Sequence, residues 1–390
     1  MSTDPFYDLK EPTTWAQPPR TYSFSSVEAL RACPRRWQLV HSGWGQHPRF
    51  PERPQPATIE GQIVHEALDL LARQLGRAGR PLIASSGFRA AIDRCGFWTF
   101  FVTQVDDWNR RLASHPRAGP RYVLRTKPRD LANQAVRLFR ERYQPGRGQP
   151  VDVLSTDLIG VVSGTCTPLS LLEARGALSE IRIEHPSLPL VGVLDLVALE
   201  RDGSTTVVDF KTGIRKPAHE KQILLCALLW WRVAGVLPCK AVVQYLDSNW
   251  VISPKESALL ATENAIAKEI DEARVTLLTR PAPAKPGQEC EWCPVRPRCN
   301  EGWTRGVHAL NANNTSKPID LEVTVSSNPT STGFLGMCSA GNEVSLVYDA
   351  AVGCGLPPTK IGDCFRIVDA VPRAGGKEIA LLPWTEMYRL

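Results

Sequence analysis

The sequence predicts an α/β domain over residues 21–305 and a small all-β domain over residues 319–390. Two apolar runs, at 190–200 and 205–210, flank the polar turn Asp202-Gly203-Ser204 and predict a β-hairpin. Segments with helical periodicity lie on both sides of this hairpin. Toward the C-terminus they give way to short alternating segments separated by turn residues, so the fold class changes there.

The other elements follow in chain order. Residues 1–20 are rich in proline and polar residues and predict a flexible arm. Apolar residues at helical spacing then predict a helix that carries His65. The later segments are a helix over 219–233, a strand over 241–246, a helix over 254–279, a polar linker over 306–318, and strands over 321–325, 343–347, 364–368 and 378–382. The last four strands predict a small β-barrel, OB-like or SH3-like.

Two acids end neighbouring strands of the predicted hairpin, Asp195 and Asp209. Lys211 follows Asp209 by two residues, so their side chains share one face of the strand and Phe210 points to the other. Carboxylates on adjacent strand ends can hold Mg²⁺ or Mn²⁺, since both cations take carboxylate and carbonyl oxygens. The metal would activate a bound water, and Lys211 would position it or stabilise charge on phosphorus. The pattern favours phosphodiester hydrolysis; the alternative is a strand end with two solvated charges.

Cysteines provide the second signal. The chain has 11 of them, and its first residues lack the apolar core of a secretory signal, which predicts the reducing cytoplasm. Cys290, Cys293 and Cys299 form a C-x2-C-x5-C pattern that favours a 4Fe–4S cluster over zinc and needs a fourth ligand. The remaining cysteines have apolar neighbours and are predicted to be small core residues: Cys95, Cys166, Cys226, Cys239, Cys338, Cys354 and Cys364.

The net charge of +6 is unevenly distributed. Residues 73–147 contain 16 basic and 5 acidic side chains, a balance of +11, with aromatic residues interleaved. This composition suits phosphate contacts and stacking on single-stranded DNA; the alternative is a solvated helical insert whose aromatics form a core. The β domain has five basic and eight acidic residues, which favours a protein-docking or regulatory module over a DNA platform. The apolar run 223–231 is too short to cross a membrane.

The chain resembles RecB-like nucleases of the PD-(D/E)XK superfamily, in the iron–sulfur branch that includes AddB-type recombination nucleases and CRISPR-adaptation nucleases. The resemblance covers roughly three quarters of the chain. The matching positions are Tyr22–Ser26, Ala32–Trp37, Gly61–Glu66, Asp195, Asp209, Lys211, Gln222, Cys290, Cys293 and Cys299. One position departs: where the family often carries a tyrosine four residues after the glutamine, this chain has Cys226.

The resemblance implies a restriction-endonuclease-like core with a helical insert and an iron–sulfur clasp. It assigns Cys33 as the fourth cluster ligand, and it implies catalytic roles for Asp195, Asp209, Lys211 and Gln222. It places the metal on His65, Asp195, Asp209 and Phe210.

The function that follows is a metal-dependent deoxyribonuclease, exonucleolytic on single-stranded DNA, in DNA repair, mobile-element processing or defence. The chain has no P-loop motif, so a helicase or another complex member is expected to bind, by way of the C-terminal β domain. Two alternatives stay open: a catalytically silent DNA-binding scaffold, and a zinc-stabilised RNA-processing or interaction protein.

Overall fold

The computed structural model describes residues 6–78, 82–115, 117, 123–124, 126–140, 167–306, 318–339, 341–349, 358–373 and 377–390. Within them the α-helices are α1 Phe24–Ala32, α2 Pro34–His41, α3 Pro56–Arg77, α4 Ser86–Arg94, α5 Phe97–Ala113, α6 Pro128–Arg140, α7 Pro168–Arg175, α8 Pro217–Ala234, α9 Glu256–Thr276 and α10 Asn300–Gly306. The strands are β1 Ala177–Glu184, β2 Val191–Leu199, β3 Thr205–Lys211, β4 Lys240–Tyr245, β5 Asn249–Ile252, β6 Ile319–Val325, β7 Gly333–Cys338, β8 Glu343–Tyr348, β9 Cys364–Pro372, β10 Glu378–Leu381 and β11 Glu386–Arg389.

The first five strands form one mixed sheet in the order β1-β2-β3-β4-β5. β2 and β3 pair antiparallel, so the predicted hairpin is confirmed. β3 and β4 pair parallel, and α8 makes the crossover that parallel neighbours require. The predicted helices in α8 and α9 and the predicted strand in β4 are confirmed within a few residues.

Helices cover both faces of this sheet. Val207 belongs to the apolar cluster shared with α8 and α9, whereas Val208 and Phe210 belong to the cluster shared with α3, α5 and α6. Successive residues of β3 therefore enter opposite layers, which explains why both Val207 and Val208 are apolar although they point to opposite faces. Only the polar end of β3 is left to form a site.

The C-terminal strands close a barrel. The pairing order is β10-β8-β7-β6-β9, and β10 also pairs with β9, which joins the two ends of the five-stranded ring. β11 extends the sheet from β9. Gly333 has φ +148°, and a Cβ there would lie 1.9 Å from the Leu346 carbonyl oxygen, so the start of β7 requires glycine. The predicted β-barrel is confirmed, while β7 and β11 were not predicted.

A buried charge network joins the barrel to the α/β domain. Arg117 donates to both carboxylate oxygens of Glu386, at 2.9 and 3.0 Å, and to the carbonyls of Pro51 and Pro294. Arg53 donates to the same carboxylate at 3.0 Å. Arg117 was counted in the basic segment predicted to attract DNA, but its side chain is fully buried in this junction. It therefore serves packing between domains.

The predicted N-terminal arm also contacts the barrel in its described part. Arg298 donates to the Tyr7 carbonyl at 2.6 Å, and Arg389 donates to Asp8 at 3.0 Å. Leu9 is buried in the same apolar cluster as Tyr388 of β11. Residues 6–9 therefore lie against the junction.

Several predictions fall outside the described residues. They concern the linker except for its two ends, Cys166, Cys354, Tyr122 and five of the arginines of the basic segment. Among the described cysteines, Cys226 and Cys338 are buried as predicted, whereas Cys95, Cys239 and Cys364 are half-buried. No helix in the described part of the chain is both long and apolar enough to span a membrane.

Candidate active site

The pairing of β2 with β3 brings two predicted acids together, Asp195 from the middle of β2 and Asp209 from near the end of β3. Asp209 is 3 % exposed and precedes Phe210, whose backbone N–H donates to Asp195 Oδ2 at 2.7 Å. The Phe210 ring packs in the apolar cluster with Val208 and Val242. The strand pairing thus holds both carboxylates next to the backbone of the same residue.

Lys211 and Gln222 fix the Asp209 carboxylate. Both side chains donate to its Oδ1, Lys211 at 2.9 Å and Gln222, from α8, at 3.0 Å. Lys211 Nζ also lies 2.9 Å from Oδ2, yet Oδ2 is buried without a hydrogen-bond partner among the described residues. A buried carboxylate oxygen with spare lone pairs is suited to a cation.

His65 and Glu180 stand beside Asp195. One ligand atom from each of these three residues lies within 4.8 Å of the other two. His65 projects from α3, with Nδ1 3.5 Å from Asp195 Oδ2. An imidazole and carboxylates form a donor set that fits a divalent cation. The candidate metal-binding group is thus His65, Glu180 and Asp195, with Asp209 adjoining.

Glu180 was missed by sequence reasoning. The β1–β2 register passes from Ser179–Leu196 to Ile181–Leu194, which places Glu180 opposite Asp195. Its φ of +48° is uncommon for a residue other than glycine, and such positions cluster at functional sites. The sequence feature that could have indicated Glu180 is an acidic residue inside a strand pattern that precedes the hairpin.

Burial and mutual repulsion shift the acidity of these carboxyls. Burial, with the charge of Asp195, raises the pKa of Asp209 to about 7, although Lys211 opposes the shift. The same two causes raise the pKa of Glu180 to about 7. Burial alone would lower the pKa of His65, but the hydrogen bond and charge of Asp195 raise it. The group thus holds more negative charge than its surroundings offset.

A tyrosine reaches the site from the neighbouring strand. Cys226, which stands where the related family often has tyrosine, is fully buried near Asp209 and Lys211. Tyr245 of β4 pairs in register with Lys211, and its hydroxyl lies 2.8 Å from His219 Nδ1. The tyrosine near this site is therefore Tyr245 of β4, while α8 carries Cys226 at the position where the family often has tyrosine.

The four predicted cluster ligands converge near α10. Cys33, between α1 and α2, accepts at 3.5 Å from the backbone of Lys285, which lies just before the other cysteines. A Cβ at Gly302 would lie 3.4 Å from Cys299 Sγ and 3.9 Å from Cys290 Sγ, so glycine keeps this space open. Burial raises the pKa of Cys293 to about 11 and also raises the pKa of Cys299.

Comparison with known families agrees with this geometry. Residues 21–300 match the model of the PD-(D/E)XK nuclease superfamily. No curated protein shows significant similarity to the chain. Because the match spans well over half of the sequence and includes β1 to β5 with the acids and lysine described above, the chain belongs to the PD-(D/E)XK nuclease superfamily.

Proposed function

We propose that the chain is a Mg²⁺- or Mn²⁺-dependent deoxyribonuclease of RecB-like type. Superfamily membership supports a metal-dependent nuclease. The observation that carries the proposal is Asp209: it is buried and fixed by Lys211 and Gln222, and its Oδ2 has no hydrogen-bond partner among the described residues beside the group of His65, Glu180 and Asp195. A scaffold protein has no physical need for this concentration of uncompensated carboxylates.

The residues have separable roles. His65, Glu180, Asp195 and Asp209 Oδ2 would hold the metal, with the Phe210 backbone next to them. When bound, the metal supplies Lewis-acid stabilisation of phosphate charge and activation of water. Lys211, held by Asp209, orients the attacking water or neutralises charge on the phosphoryl oxygens. Gln222 is a positioning residue, because its contact is with Asp209.

A 4Fe–4S cluster on Cys33, Cys290, Cys293 and Cys299 completes the proposal. Backbone N–H groups that point at Sγ of Cys33, Cys290 and Cys299 support buried thiolates, which are the ligands of such a cluster. The cluster would clasp the N-terminal helices to the end of the domain.

The biological setting we propose is exonucleolytic degradation of single-stranded DNA in the cytoplasm, in repair, mobile-element processing or defence. The described cysteines form no disulfides with one another, as in a reducing compartment. A helicase or another complex member would supply the single strands. The exposed apolar side chains of Leu335 and Met337 on β7 support a docking role for the barrel. Purification from the native host without any associated motor or complex would count against this partner.

The decisive experiment is degradation of end-labelled single- and double-stranded DNA with Mg²⁺ or Mn²⁺. Lys211→Ala should reduce cutting by about 10²- to 10³-fold, the usual loss when a group that stabilises developing charge is removed. Lys268→Ala, which alters an exposed lysine on α9, should cut like the wild type. A protein that binds DNA but cuts neither substrate would favour the scaffold alternative.

A further inference from the structure

We propose that the cleft beside the metal-binding group is a binding site for unpaired nucleotides, in which Trp108 and Phe100 stack bases while Arg77 contacts phosphate. The inference rests on the proposed function in taking DNA as the ligand. It names the part of the chain that would select a single strand over a duplex.

The cleft lies between α3 and α5 and has a volume of about 1170 Å³. It runs along α3 from Ala57 to Arg77 and passes His65 and Glu180 of the candidate active site on the way. At 1.5 Å per residue, the 12 residues from His65 to Arg77 span about 18 Å. At a stacked rise of about 3.4 Å, this length holds at most about five nucleotides of one strand. A strand bound here would therefore lead directly to the acids.

Four aromatic side chains of α5 lie either in the core or along the cleft, while a fifth, Trp98, is exposed elsewhere. Phe97 and Phe101 are completely buried, whereas Phe100 and Trp108 line the cleft and are only half-buried. Phe100 and Trp108 are eight residues apart and so lie on the same side of the helix. Unpaired bases have free faces for such rings, but the bases of a duplex are already stacked on one another. The aromatic wall should therefore select single strands.

The charge of the lining side chains changes along the cleft, from carboxylates near His65 to an arginine at the C-terminal end of α3. The carboxylates of Glu66, Asp69 and Glu180 lie near His65, and Asp69 is already paired with Arg73. Arg77, at the far end, is exposed and has no ion pair among the described residues. Beside Trp108, the guanidinium group of Arg111 lies 5.0 Å from the centre of the indole ring. Arg77 is thus free to bind phosphate at its end of the cleft.

The first test separates stacking from packing. Fluorescence anisotropy with a labelled oligothymidine strand, in EDTA, should show about tenfold weaker binding for Trp108→Leu, since loss of one stacked base weakens binding by this order. Trp108→Phe, which keeps an aromatic face, should stay within about threefold of the wild type. Affinity for the same strand paired with oligoadenosine should not change in either variant. Equal single-strand affinity of Trp108→Leu and the wild type would overturn the stacking role.

The second test uses an exposed residue that cannot disturb the core. Arg77→Glu should weaken single-strand binding by about tenfold and lower the slope of log K against log salt by about one. Arg89 is another exposed arginine, on α4 outside the cleft, so Arg89→Glu makes the same change in net charge and serves as the matched control. If both variants lose affinity equally, binding is general electrostatics and the inference is wrong. Both binding tests are done in EDTA and do not depend on cutting. Failure to cut DNA in the separate assay with Mg²⁺ or Mn²⁺ would therefore count against the proposed nuclease activity and not against this binding site.

Discussion

Asp209 in the candidate active site and Glu386 at the barrel junction are both buried carboxylates, but their surroundings act in opposite directions. Burial and the neighbouring charge of Asp195 raise the pKa of Asp209 to about 7. Burial would also raise the pKa of Glu386, but the guanidinium groups of Arg117 and Arg53 outweigh it and lower the pKa to about 2. The same functional group is thus disfavoured as an anion in one place and strongly favoured in the other.

The difference separates a site from a structural contact. Glu386 is satisfied within the protein by two guanidinium groups and the Tyr388 hydroxyl. Asp209 has one lysine, a second carboxylate nearby and an oxygen without a hydrogen bond. Negative charge that the fold leaves uncompensated is available to a ligand, whereas charge that it neutralises holds domains together. Removing each carboxylate should therefore change stability with opposite sign.

The largest effect is expected at the junction. Glu386→Gln leaves Arg117 and Arg53 buried without their shared anion, and this should lower the free energy of unfolding by about 3 to 5 kcal/mol. Since the folded pKa is depressed, the contribution of Glu386 is complete above about pH 4.5 and is lost as the pH falls toward 2. Denaturant unfolding measures the loss. Glu378→Gln, which breaks an exposed pair with Arg373 on the same barrel, should change stability by less than about 1 kcal/mol.

Replacing Asp209 is expected to increase stability, in contrast to replacing Glu386. In metal-free protein at pH 8, Asp209→Asn should raise the free energy of unfolding by roughly 1 to 3 kcal/mol, because it removes a carboxylate whose folded pKa is raised. The gain should disappear near pH 4, where Asp209 is protonated in the folded state. Cutting should be lost at the same time. A destabilised Asn variant at pH 8 would show that the bonds from Lys211 and Gln222 dominate over repulsion.

Local patterns accounted for the part of this site that lies on one hairpin. Alternation along a strand was enough to place Asp209 and Lys211 on one face of β3. The short turn between β2 and β3 sets the register that brings Asp195 next to them. The resemblance to a family supplied His65 and Gln222, which come from helices distant in sequence. The metal-binding role of His65 and the catalytic role of Gln222 stay predictions, while the proximity of both residues to the acids is a property of the structure.

Contacts between distant segments could not be predicted in the same way. Glu180 reaches the site through an unusual backbone conformation in β1, which no residue pattern announces. Arg117 read as one of many arginines in a basic segment, yet it pairs with a carboxylate 269 residues later. In both cases the role of the side chain depends on a partner that only the tertiary structure identifies.

The smallest predicted effect is the pH dependence of metal binding, and it tests whether Glu180 belongs to the site. Asp209 and Glu180, with pKa values of about 7, are largely protonated at pH 6, so Mn²⁺ must displace protons there. Affinity should rise between pH 6 and 7 by up to about tenfold for each proton displaced, and it should level off above pH 8. In Glu180→Gln one proton fewer is displaced, so the dependence should be shallower by about one proton. Calorimetric titration in buffers of different ionisation enthalpy counts these protons, and an unchanged count would exclude Glu180 as a ligand.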